Sequence, residues 1–373
     1  MDNLLQSENE LLDRSLSTEE REDNEQKNET PASVTFATQD YPIDGLVKRM
    51  NSKAMVVPQF RGNDDRIYTA GFQRGFVWTK NQMDKFVESL LLGYPIPGIF
   101  LVKQPQDNRL LILDGQQRLE TLRQFYSGVY GDKVFSLSNV GKEFEGLTYD
   151  TLDESLRIKL DDSYMQATIV SADGSGETSE AIYQIFERLN SGGTQLTPHE
   201  IRVALFAGNI MSSIERLNQN SDWRSLYGRP SKRIRDHELI MRILAMFEDG
   251  DSYKKPLKTF LNTYAENSKN RDVDNETVGQ LFKDAVRIVS SQIGSSAFRR
   301  RDGLQVNAAQ AEAVIVAVMK ALKKGPHPSD LREKFEKLQH DELFIKSTNY
   351  ATADTDSVYQ RLSQAIKILV NDE

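Results

Sequence analysis

Residues 109–122, Arg-Leu-Leu-Ile-Leu-Asp-Gly-Gln-Gln-Arg-Leu-Glu-Thr-Leu, hold the types and spacing with the most evident chemistry. An apolar run at 110–113 has the length of a buried strand and ends on Asp114-Gly115; Leu119, Leu122 and Phe125 then recur at helical spacing up to Gly128. Polar side chains therefore fall where a strand meets a helix. At such a junction the first backbone N–H groups lack intrahelical partners and the helix dipole favours an anion. Arg118, one turn in, could fork onto phosphate oxygens, and Asp114 could hold a metal ion or a sugar hydroxyl. The same residues also fit a ligand-free reading, with Asp114 as N-cap and Gln117 at N3 closing a capping box. Capping leaves Gln116 and Arg118 without a role.

Two further segments carry motifs. Phe72-Gln73-Arg74-Gly75-Phe76-Val77-Trp78 precedes a helix through Leu92, followed by Gly93-Tyr94-Pro95-Ile96-Pro97-Gly98-Ile99-Phe100-Leu101. Phe186-Glu187-Arg188-Leu189-Asn190-Ser191-Gly192-Gly193-Thr194-Gln195-Leu196 comes later. With Asp-Gly-Gln-Gln-Arg (DGQQR) between them, their order and separation resemble the N-terminal domain of GmrSD-type modification-dependent restriction enzymes, a module with a ParB/sulfiredoxin-like core. Three ordered motifs are far more specific than one.

The resemblance implies nucleotide binding and hydrolysis in bacterial defence against foreign DNA. It assigns a catalytic part to Asp114, Gln116, Gln117 and Arg118. It assigns nucleotide binding to Gln73, Arg74, Asp114, Gly115, Arg118, Arg188 and Asn190. The expected cofactors are a nucleoside triphosphate and Mg²⁺, the metal resting on Asp114. In phosphoryl transfer the protein mainly positions groups and stabilises charge. Arg118, Arg74 and Arg188 would neutralise phosphate oxygens, and Gln116 or Gln117 would hold water or a sugar edge. The expected partners are DNA and a nuclease subunit in trans, with a homo-oligomer left open. Two-domain members of the family carry an HNH nuclease after this module. Here His199, His237, His327 and His340 are scattered and no ββα-metal pattern surrounds them, so a nuclease of that type is not expected. A non-catalytic DNA-binding or scaffolding subunit of the same fold is the alternative. A self-sufficient nuclease built on the core is the weakest of the three readings.

Other chemistries find no support in the sequence. Zero cysteines exclude thiolate zinc sites and disulfides. Gly174-Ser175-Gly176-Glu177 lacks the lysine of a phosphate-binding P-loop and reads as a loop. No run has the length of a membrane span, and the polar start of the chain has no signal-like apolar region, so a cytoplasmic protein is expected. The net charge of −8 is concentrated at one end: residues 1–30 hold ten acidic and three basic side chains, which leaves the remainder close to neutral. An acidic total is therefore compatible with a basic, DNA-facing patch. Arg229-Pro230-Ser231-Lys232-Arg233-Ile234-Arg235 is one candidate, with Lys232, Arg233 and Arg235 contacting phosphates; Arg299-Arg300-Arg301 is another.

The elements that must position these residues define an α+β protein: a small mixed ParB/sulfiredoxin-like α/β core followed by a predominantly helical domain. The boundaries expected are an acidic disordered tail over 1–35, a nucleotide-binding core over 36–175 and helices over 176–373. Thr79-Lys80-Asn81-Gln82 is a capping box opening a helix with Met83, Phe86, Val87, Leu90 and Leu91 on one face. Pro95 and Pro97 force an extended path into a second strand at 99–102. Phe76 and Trp78 read as core packing rather than base-stacking groups. Thr197-Pro198-His199-Glu200 opens another helix, with His199 structural or exposed. The turn at 190–193 could serve as a tight interhelical connection or as an anion nest. Further helices are expected near 235–247, 307–322, 329–338 and 355–370, the last striped by Val358, Leu362, Ile366 and Leu369.

Overall fold

The computed structural model describes residues 35–56, 78–104, 108–171, 176–189, 197–231, 233–299, 305–325 and 330–370. The described residues up to 189 belong to one compact unit and those from 197 to another. The fold is α+β, with a mixed sheet in the first unit and helices throughout the second.

In the first unit, β1 (Thr35–Pro42) leads into α1 (Ile43–Asn51) and β2 (Met55–Val56). Helix α2 (Lys80–Leu92) is followed by β3 (Ile99–Lys103), β4 (Leu110–Asp114) and α3 (Gln116–Ser127). A short hairpin of β5 (Val129–Tyr130) and β6 (Lys133–Val134), then α4 (Glu154–Asp161), β7 (Tyr164–Ser171) and α5 (Gly176–Leu189) complete it. The sheet order is β1-β7-β3-β4-β2; β7 and β3 run parallel, as do β4 and β2, and the other neighbours are antiparallel. Strand β4 lies between β3 and β2, so Leu110, Leu111, Ile112 and Leu113 are all buried, as a continuous apolar run requires of a strand covered on both faces.

Helix α2 begins with the expected Thr79/Gln82 capping box, buries Met83, Phe86, Val87, Leu90 and Leu91, and ends on Gly93 at φ 82°. Helix α3 buries Leu119, Leu122 and Phe125 completely and stops at Gly128, φ 71°. Trp78 packs edge-on against Phe86, with ring centroids 5.5 Å apart, in agreement with a core role; Phe76 lies outside the described residues. Strand β1 was not anticipated. Its first six residues are exposed, so no apolar alternation marks it, and its backbone pairing with β7 defines it. Of the loop expected at 174–177, Gly176 and Glu177 belong to α5, and Gly174 and Ser175 lie outside the described residues.

The second unit runs through α6 (Pro198–Leu205), α7 (Asn209–Asn218), α8 (Ser221–Tyr227), α9 (Arg235–Asp249), α10 (Leu257–Asn267) and α11 (Thr277–Gln292). It continues with α12 (Ala308–Lys324), α13 (Leu331–Gln339), α14 (Glu342–Asn349) and α15 (Thr355–Leu369). Helix α12 is apolar almost all round and packs against α9, α11 and α15, which is where such a helix must go. Its Glu312 is consequently fully buried, and guanidiniums from α9 and α15 neutralise it: Arg242 Nε donates at 2.9 Å, and Arg361 Nε and Nη2 at 2.9 and 2.7 Å. Val358, Leu362 and Leu369 are buried as expected, with Ile366 half-buried. The unanticipated helix α14 opens on an Asp341 cap; its consecutive Leu343-Phe344-Ile345 gave no helical stripe. No helix among the described residues is long and apolar enough to cross a membrane.

His199 sits at N2 of α6, as its Pro-led start dictates, and is fully buried. Arg202 Nη1 donates to its Nδ1 at 3.1 Å, which leaves the ring proton on Nε2, a buried donor with no partner among the described residues. Arg202 itself also reaches Asn262 on α10 and Glu238 on α9. His237 lies 6.4 Å away, centroid to centroid, with its Nε2 2.6 Å from Glu215 on α7. Burial first, and then the neighbouring Arg202 and His237, hold the His199 pKa well below 6.5.

A lowered His pKa in the folded state means that its contribution to stability is complete above the unfolded value and is lost as the pH falls below it. From about pH 6.5 downward the wild type should therefore lose stability with each further fall in pH on account of His199. His199→Gln removes that slope at the cost of some stability at neutral pH. Chemical denaturation at several pH values checks this; identical slopes in the two proteins would contradict it.

Candidate functional site

The junction of β4 with α3 is built by close backbone contact. Phe100 pairs with Asp114 but Leu101 pairs with Ile112, so Leu113 is an extra residue and the strand bulges immediately before the turn. The bulge re-aims Asp114, whose side chain is 50 % exposed. Gly115 follows at φ 93°, and a Cβ there would lie 2.3 Å from Ile99 Cγ2. Both the left-handed backbone and the lack of space call for glycine. Gly98 is similarly tight, its Cβ position being 2.7 Å from the Gln166 carbonyl of β7.

The helix starts differently from the expected cap. Gly115 is the N-cap of α3, with no side-chain cap hydrogen bond, so Gln116, Gln117 and Arg118 occupy N1 to N3. The reason is the bulge and turn: the Asp114 carboxylate is bonded to Arg118 Nη2 at 2.7 Å instead of to the helix start. Arg118 Nη1 donates to the carbonyls of Pro97 and Gly98, at 2.5 and 2.7 Å. The guanidinium expected to be free for phosphate is 12 % exposed and bonded to three acceptors. Gln117 Oε1 accepts from the Trp78 N–H at 3.2 Å, which joins the end of the first motif to the second. The half-buried Gln116 amide makes no hydrogen bond among the described residues.

Gln73, Arg74 and Asn190 lie outside the described residues, as do Ser191 to Leu196 and Lys232. Arg188 is exposed in the last turn of α5 and makes no hydrogen bond or ion pair with the DGQQR turn among the described residues. Arg233 is not on a solvated face. It is buried, its Nε and Nη2 donating to Glu200 at 3.0 and 2.7 Å, because Glu200 at N3 of α6 is itself buried and needs a counter-charge. Arg235 is half-buried at the start of α9, and Arg299 is tied to the Tyr227 carbonyl at 2.5 Å.

Chemically, the turn presents one half-exposed carboxylate and, among the described residues, a helix N-terminus without a side-chain cap and an unbonded amide. No group of three or more His, Asp or Glu placed to hold a metal occurs among the described residues. A single carboxylate suits a Mg²⁺ that arrives on phosphate oxygens rather than one held in an all-protein cage. Sequence reasoning missed the Pro97 and Gly98 carbonyls as partners of Arg118; the only sign of them was the forced extended path at Pro95 and Pro97. It also missed the His199 and His237 pair, which 37 positions of sequence conceal and α6 and α9 bring together.

Residues 57–207 match the family model described as the GmrSD restriction endonuclease, N-terminal domain. No curated protein and no solved structure matches the chain.

Two substitutions test the geometry. Gly115→Ala forces a side chain into the left-handed region and onto Ile99; the backbone effect alone costs about 1–3 kcal/mol, and urea unfolding should show at least that loss. Arg233→Ala leaves Glu200 as a buried charge lacking its fork and should cost about 3–5 kcal/mol. An Arg233→Ala protein as stable as the wild type would return this residue to the surface.

Proposed function

We propose, from the premise that this chain carries a GmrSD-type N-terminal domain over residues 57–207, that it is a nucleotide-responsive component of a restriction system. It binds a nucleoside triphosphate with Mg²⁺ at the turn from Asp114 to Arg118, hydrolyses it, and couples that state to DNA and to a nuclease on another chain. One observation carries the reading: β4 delivers its end through a left-handed glycine to a twelve-residue helix whose first turn has no side-chain cap. Such N–H groups and their dipole favour phosphate. Asp114 stands beside them with half of its side chain exposed, where it would take a Mg²⁺ brought in by the phosphates or orient the attacking water. Gln116, next in the chain, has its amide available to a water or a sugar hydroxyl.

A binding-only scaffold of the same fold is the second reading. The observation on its side is that the carboxylate and the guanidinium of the turn are bonded to each other. Both readings predict triphosphate binding, and only the first predicts turnover.

The test is titration of the purified chain with the four ribonucleoside triphosphates and Mg²⁺, followed by phosphate release with and without DNA. Asp114→Asn keeps an oxygen for Arg118 but loses the charge, so release should fall by about 100-fold or more while affinity changes far less. Release at the wild-type rate removes Asp114 from the chemistry. A wild type that binds none of the four triphosphates sinks the nucleotide reading as a whole.

A further inference from the structure

The four side chains of the DGQQR turn divide by what they bond to, and the division departs from the roles that the motif resemblance implies. Gln117 and Arg118 point back into the fold, the first to the Trp78 N–H and the second to Pro97, Gly98 and Asp114. Asp114 is exposed, and the half-buried Gln116 side chain makes no hydrogen bond among the described residues. Resting on the nucleotide reading above, we propose that Arg118 is a positioning residue rather than a phosphate contact. It pins the segment before β3 to the start of α3 and fixes the rotamer of Asp114, so that Asp114, Gln116 and the helix N–H groups make up the ligand-facing set.

The geometry of the guanidinium supports this assignment. Both Nη1 hydrogens are directed at carbonyls 20 and 21 residues earlier in the chain, and Nη2 holds Asp114 one turn back. A planar fork is well suited to joining three acceptors on two segments, which a lysine ammonium does less well. Turning to a phosphate would forgo three charge-assisted hydrogen bonds at once and leave the Asp114 carboxylate facing the incoming anion without its counter-charge. The clamped segment has little slack on its other side, because Gly98 is wedged against the Gln166 carbonyl. Arg118 thus closes a ring formed by the segment before β3, the end of β4 and the first turn of α3.

Two measurements on Arg118→Gln, Arg118→Lys and Gln116→Ala test the assignment. In the ligand-free protein, amide exchange over residues 94–101 should rise about tenfold in Arg118→Gln, less in Arg118→Lys, and stay at the wild-type level in Gln116→Ala. In the second, ATP, GTP, CTP and UTP are compared with their di- and monophosphates, each with Mg²⁺. A positioning residue lowers affinity by one common factor across the phosphate series, whereas a direct contact loses more with every added phosphate. Unchanged exchange in Arg118→Gln, or a loss that climbs along the series, overturns the proposal. If the wild type binds none of these nucleotides, the nucleotide reading has failed separately, and the exchange measurement alone decides whether Arg118 is the clamp.

Discussion

Gly115 approaches Ile99 so closely that no Cβ fits between them, and the arrangement of the candidate site follows from that contact. It brings the end of β4 against the start of β3 and requires a left-handed residue at the turn, which sets the direction in which α3 departs. The bulge at Leu113 then rotates Asp114 outward, and Arg118, one helical turn on, is left opposite the Pro97 and Gly98 carbonyls. The ion pair between Asp114 and Arg118 is a consequence of this packing. An exposed pair at helical spacing contributes little by itself, but here the same guanidinium also ties down a distant segment.

The helical unit solves a different problem. Its central helix, α12, is enclosed by α9, α11 and α15, so any charge on it enters a region with little water. Glu312 is tolerated because two arginines from two other helices converge on it. Glu200 with Arg233, and Arg202 with Asn262 and Glu238, follow the same rule. Such pairs are a weak source of net stability, yet each is severely disrupted by loss of one partner. Arg202 thereby links α6 to α9 and α10.

These two kinds of constraint bear on function in opposite ways. At the β4–α3 turn, tight packing leaves the Asp114 carboxylate half exposed and the Gln116 amide without a hydrogen bond among the described residues. In the helical unit, packing draws inward a basic residue that composition alone would place on a nucleic-acid-facing surface. A cluster of arginines in sequence is thus evidence of charge, and only its burial and its partners say whether that charge is available to DNA.

The sequence by itself determined the elements whose signals are local. The apolar run of β4, the capping boxes at Thr79 and Thr197, the stripes of α2, α3 and α15 and the glycine stops at Gly93 and Gly128 all depend on residues within a turn or two of each other. The three ordered motifs likewise pointed to the GmrSD N-terminal domain that the family match bears out. What required the tertiary structure was every feature set by chain segments far apart. Strand β1 exists through its pairing with β7, since an edge strand exposed on both faces has no apolar pattern to read. Asp114 as cap or as ion-pair partner could not be decided from spacing, because a bulge in pairing with β3 chooses between them. Arg118, Arg233 and His199 are chemically capable of binding anions or protons wherever they stand. Whether they do so depends on carbonyls, carboxylates and burial supplied by residues 20 to 38 positions away, which only folding brings together.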